Sequence, residues 1–107
     1  MILFTTTWFP PEHAEKAGKT YLEVMKKYPR DRSISKVLLD SSVSATKNGY
    51  KVVSASEVKE GKLVEAIDLA NKRLIMFAEE IEGYKYKIEV LSTITEALGV
   101  LGLKPPE

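Results

Sequence analysis

Apolar and polar positions in this chain recur in two rhythms, one of period two and one of period three to four. Residues 2–9, ILFTTTWF, are β-branched and aromatic and predict a first strand. Pro10-Pro11 stops it, because proline gives no backbone N–H to a ladder and restricts the residue before it. The same prolines suit the opening of a helix, where the missing N–H costs nothing. Ala14, Ala17, Gly18, Tyr21, Met25 and Tyr28 then recur at spacings of three and four. That spacing predicts a helix over 11–28 with one buried face. Glu12 and Glu15 in its first turn and Lys26 and Lys27 in its last have the signs the helix dipole favours, and Pro29 ends it.

The most informative stretch is KVLLDSSVSATK, Asn48-Gly49, YKVVSASEVK. Asn-Gly between two β-rich runs predicts a hairpin, because both central residues of a type I′ turn need positive φ. Strands are expected over 34–47 and 50–59, with Asn48 and Gly49 as the loop. Lys47 then opposes Tyr50, Ala45 opposes Val52, Val43 opposes Ser54, and Asp40 opposes Glu57. From residue 62 to 82, Leu63, Ile67, Ala70, Leu74, Phe77, Ala78 and Ile81 mark a second helical face, and Gly83 stands where a C-capping glycine belongs. Tyr84, Tyr86, Ile88, Val90 and Ile94 alternate with polar residues and predict a last strand over 84–95. The chain reads as one domain over 1–96, followed by an apolar tail, 97–107. The run ALGVLGL is too apolar to stay in water and is expected on the core or on a neighbouring subunit.

The order β-α-β-β-α-β belongs to the α+β class. Right-handed crossovers turn it into a four-stranded antiparallel sheet with both helices on one face. This order resembles the ferredoxin-like fold. With the opening TTTWFPPEHAEKA, an aromatic strand followed by a Trp-x-Pro-like break, it also resembles small uncharacterised families of the dimeric α+β-barrel group. That resemblance implies a homodimer or higher homo-oligomer in which two sheets pack face to face around a cavity. No catalytic motif comes with it.

The hairpin register sorts side chains into two faces. Val37, Leu39, Ser41, Val43 and Ala45 share the more apolar face with Tyr50, Val52, Ser54, Ser56 and Val58, and this face is expected under the helices. Leu38, Asp40, Ser42, Ser44 and Thr46 share the other with Lys51, Val53, Ala55, Glu57 and Lys59. Two readings of that second face stay open. It is either a solvated face, normal for an antiparallel sheet, or the hydroxyl-rich floor of a dimer cavity.

Composition narrows the functions. The chain has 107 residues with a 44% apolar share, enough for one core, so global disorder is not expected. Its 16 basic and 15 acidic residues are interleaved, without the basic stripe of a nucleic-acid binder. The strand YKVVSASEVK also lacks the aromatic platform with which RNA-recognition modules of this topology stack bases. There is no cysteine, hence no disulfide, thiolate nucleophile or Cys-x-x-Cys metal site. No phosphate-cradling glycine motif and no G-x-S-x-G occurs. The apolar runs are too short to span a membrane and the opening lacks the features of a signal peptide, so a cytoplasmic protein is expected. Abundant Lys and Glu with few Asn or Gln lean toward a heat-adapted source. No cofactor and no metal is expected.

Six residues stand out as candidates for chemistry. His13, the lone histidine, falls in the first helical turn, where the dipole favours a neutral ring able to act as a base. The bland alternative is an exposed first-turn side chain. Asp40 opposite Glu57 would be a shared-proton or cation site, unless a β-bulge shifts the register or lysines neutralise the pair. On the unshifted register, Asp40→Asn relieves repulsion and stabilises. Trp8 would close an apolar pocket for a small ligand, with Thr6 and Ser42 as hydroxyl partners, or else serve packing. Two functions fit: a homo-oligomeric small-molecule-binding or interaction module, and a cofactor-independent monooxygenase- or isomerase-like enzyme of the dimeric α+β-barrel kind. In the enzyme, His13 would be the base and Asp40 and Glu57 its acidic partners.

Overall fold

A computed structural model describes residues 1–105. The elements run β1 (Ile2–Phe9), a 3-10 turn (Pro11–His13), α1 (Ala14–Lys27), β2 (Ser35–Thr46), β3 (Gly49–Val58), α2 (Leu63–Glu80), β4 (Lys85–Leu91) and α3 (Ile94–Val100). The class is α+β, with one open four-stranded antiparallel sheet in the order β2-β3-β1-β4. This arrangement is compatible with a ferredoxin-like topology.

The prolines act as their chemistry requires. Pro10 is the extended residue at which β1 ends, and Pro11 opens the 3-10 turn that feeds α1. Alternate residues of β1 point to opposite sides of the sheet. Leu3, Thr5, Thr7 and Phe9 face α1 and α2, so Ile2, Phe4, Thr6 and Trp8 face away from them. Leu3 joins Val58 and Ala66 in an apolar cluster, flanked by Ile34, Leu63, Ile67, Ala70 and Ile88. Val24 of α1 and Ile81, at the end of α2, are each only 1% exposed. Burial of each stabilises the fold by roughly 1.5–3 kcal/mol.

The hairpin departs from the expected turn. No described residue other than glycine has positive φ, so a type I′ turn at Asn48-Gly49 does not form. Lys47 and Asn48 make the loop instead, and Gly49 pairs with Thr46 as the first residue of β3. Thr46 Oγ1 donates to the Gly49 carbonyl at 2.8 Å and closes the turn from its own strand. Near the turn every partner therefore moves by two residues, which keeps each side chain on its expected face. Val43, for example, meets Val52 rather than Ser54.

Further along, β2 bulges. Its register against β3 shifts between Val37 and Leu39 and again between Leu39 and Ser42, leaving Leu38, Asp40 and Ser41 outside the paired positions. Such a bulge bends the strand and re-aims its side chains. The expected Asp40–Glu57 opposition is thereby lost: Glu57 sits across from Lys36 on β2 and from Ile2 on β1.

The chain after β4 also differs from expectation. The last strand ends at Leu91, and Ile94 opens a helix rather than extending the sheet. A capping box explains the switch. Thr93 Oγ1 accepts from the Glu96 N–H, while Glu96 Oε1 accepts from the Thr93 N–H, satisfying two orphan donors of the new helix at once.

Candidate functional site

Both surfaces that meet between helices and sheet are lined with small side chains. From the sheet come Thr5, Thr7, Ser41, Ser54 and Ser56, and from the helices Ala14, Ala17, Gly18, Ala66 and Ala70. Side chains this short do not reach across the gap. They leave a cavity of about 540 Å³, walled by Tyr21, Leu69, Leu74, Phe77 and Tyr84. Phe77 and Tyr84 stack at 5.4 Å between ring centroids, and Phe9 lies 5.4 Å from Tyr50 near the hairpin turn. On the floor, Thr5 Oγ1 and Ser54 Oγ share a hydrogen bond of 2.5 Å. Burial pushes the Tyr84 phenol up to about 12, so it stays a neutral donor at any physiological pH.

The cavity continues into a second depression of about 490 Å³, which shares Tyr21, Met25, Ser41, Ser54, Ser56 and Arg73 with it. Arg30, Arg32, Lys36 and Lys59 line this outer part against only two acids, Asp31 and Asp40. The mouth is therefore cationic. The β2 bulge helps shape it, because it turns Asp40 toward the α1–β2 connection. There Arg30 Nη2 lies 2.5 Å from Asp40 Oδ1, and the Ser41 N–H donates to the same oxygen at 2.8 Å.

Arg30 and then the Ser41 N–H hold the Asp40 carboxyl below the usual aspartate range. A depressed folded-state pKa contributes stability that is complete above the unfolded-state value of about 3.9 and is lost as pH falls through the lower folded value. Both side chains are largely exposed, which limits the pair to the surface range of about 0.2–1 kcal/mol. Asp40→Asn is accordingly expected to cost up to about 1 kcal/mol in urea unfolding at pH 7 and to weaken the acid dependence below pH 4. That sign is opposite to the relief of repulsion expected from the unshifted register.

Arg73 stands where the two parts of the cavity join. It lies on α2 at the spacing of Ala66, Ala70 and Phe77, on the inward face. Its Nε donates to the Tyr28 carbonyl at 2.9 Å and ties α2 to the end of α1. Its Nη2 is buried and has no hydrogen-bond partner among the described residues. Burial foremost, then the nearby positive charge of Arg30, pulls the guanidinium below its ordinary pKa, though arginine remains charged at neutral pH.

Of the expected site residues, only Asp40 lines this cavity, at its mouth. Thr6, Ser42 and Trp8 occupy the outer sheet face: Thr6 and Ser42 both flank Val53, and Trp8 sits between Lys51 and Lys85. Glu57 is on the same face at the far end of β1. His13 follows the opposite end of that strand, its N–H bonded to the Pro10 carbonyl at 3.1 Å. The length of β1, roughly 23 Å for its seven steps, separates His13 from Glu57. Asp40 is at the cavity mouth, so the three groups share no cavity. Among the described residues, no cluster of three or more His, Asp or Glu side chains could hold a metal ion. Nor is any described helix long and apolar enough to cross a membrane.

Arg73 and the inward serines escaped sequence reasoning, yet each had a signal. An arginine recurs in step with the buried face of α2, and the inward positions of β1 and β3 hold hydroxyl residues where a filled core wants Val or Ile. Comparison with known protein families, curated proteins and solved structures returned no match.

Proposed function

We propose that this protein is a ferredoxin-like domain that binds a small, largely apolar molecule between its helices and its sheet. The observation that carries this reading is the cavity of about 540 Å³. It lies within the roughly 300–1,000 Å³ common to small-molecule sites, and its walls are aromatic and aliphatic with a few polar groups. The cavity opens to solvent through its cationic mouth, and its largely apolar walls favour an apolar guest over water.

Titration with a neutral apolar fluorophore such as 1-aminoanthracene tests it. One saturable site per chain is expected. Ala70→Leu, which sends extra methylenes into the void, should weaken that site at least tenfold while leaving the protein as stable as before or more so. Absence of a saturable site, or undiminished binding by Ala70→Leu, would refute the reading.

A second reading concerns the partner. Helices α1 and α2 pack against the other side of the sheet, and the outer face carries Ile2, Phe4, Trp8, Val53, Ala55 and Leu91. A second copy related by a two-fold axis would cover these apolar side chains with the same patch of its own sheet, as a self-complementary interface requires. Light scattering should give twice the 12.0 kDa chain mass; a monomer at millimolar concentration would remove this partner.

A further inference from the structure

We infer that the guest of the helix–sheet cavity is a monocarboxylate with an apolar body, its carboxylate held by Arg73. This rests on the binding reading above and adds the chemical class of the ligand. A buried guanidinium N–H₂ without an acceptor costs free energy, and native proteins rarely leave such a group unpaired. Arg73 Nη2 is such a group among the described residues, placed where the apolar chamber meets the cationic mouth. Arg73 is also fixed in place, since its Nε is committed to the Tyr28 carbonyl. Arg73 lines both parts of the cavity, and a guanidinium matches the planar fork of a carboxylate.

Charge at the mouth agrees. Arg30, Arg32, Lys36 and Lys59 outnumber Asp31 and Asp40 there, which favours the approach of an anion. Asp40 already occupies Arg30, which leaves Arg73, among the described residues, as the guanidinium open to a guest in the inner chamber. One such group balances a single negative charge and not two, so a carboxylate suits it better than a dianionic phosphate. The body of the ligand then lies over Thr5 and Ser54 toward Phe77 and Tyr84. At the ~30 Å³ that one water occupies in the liquid, the chamber takes a molecule of roughly 12–18 non-hydrogen atoms.

Calorimetric titration of the full chain with decanoate, decan-1-ol and decyl phosphate, matched in chain length, tests the inference. Wild type is expected to bind decanoate at least tenfold more tightly than decan-1-ol, and more tightly than decyl phosphate. Arg73→Met should abolish the preference over the alcohol while holding decan-1-ol within threefold, and Arg73→Lys should retain part of it. Equal binding of decanoate and decan-1-ol by wild type would overturn the role of the carboxylate and leave the cavity reading standing. Tighter binding of decyl phosphate would overturn the ligand class. Failure of all three would overturn both readings. The wild-type comparison decides even if Arg73→Met, deprived of its bond to Tyr28, does not fold.

Discussion

Gly49→Ala is expected to destabilise the protein by about 2–6 kcal/mol, a large share of the stability of a small domain. Two separate costs add. Gly49 has φ of +138°, a conformation that side-chain-bearing residues rarely adopt. A Cβ at this position would also overlap the carbonyl oxygen of Phe9 and fall 3.3 Å from the Pro10 Cα. Both obstacles are backbone, so no rotamer change relieves them. The start of β3 can thus lie directly against the end of β1 only because nothing projects from residue 49. Gly61→Ala separates the two costs. Its φ of +76° is also glycine-like, but beyond its chain neighbours no described atom lies within 4 Å of the added carbon. It should cost only about 1–2 kcal/mol. Urea unfolding of the two variants checks this, and equal losses would show that the clash with Phe9 adds nothing to the cost of the backbone conformation.

Ile81→Ala is expected to cost about 2–5 kcal/mol and to lower Tm by roughly 10–25 °C. Ile81 is 1% exposed and sits at the corner between α2 and β4. Its N–H donates to the Phe77 carbonyl at 2.9 Å, and its own carbonyl accepts from the Tyr84 N–H at 3.2 Å. The side chain therefore pins a helix end and the turn after it to the same core. Truncation removes its apolar contacts and leaves a void beside residues already fixed by those backbone bonds. Leu22→Ala on the exposed face of α1 is the control, expected within about 0.5 kcal/mol of wild type, because Leu22 is 69% exposed. Thermal unfolding followed by circular dichroism distinguishes the two, and a loss under about 1 kcal/mol for Ile81→Ala would mean that the corner repacks.

The local signals in the chain were sufficient for the elements and most of the faces. Period-two and period-3.6 patterns, the Pro10-Pro11 break and the Gly83 position place β1, α1, β2, β3 and α2 within a few residues of where they lie. These are short-range effects: proline geometry, side-chain alternation and helical spacing act between residues a few positions apart. The hairpin faces near the turn were legible even though its loop was not, since a two-residue displacement preserves side-chain parity. The end of β4 was misread for a local reason too. Apolar alternation continued to Ile94, but the Thr93–Glu96 capping box starts a helix there.

What the tertiary structure alone decided is the site. The β2 bulge depends on how twelve residues of β2 accommodate ten of β3, and it trades a repulsive Asp40–Glu57 pair for an attractive Asp40–Arg30 one. The cavity depends on small side chains from five elements facing one another, and no one segment reveals that its neighbours are also small. The unpaired state of Arg73 Nη2 likewise depends on what the surrounding described elements fail to offer. Spacing along a chain fixes the direction in which a residue points. Only the packed structure fixes what it meets there, because that is set by residues far away in sequence.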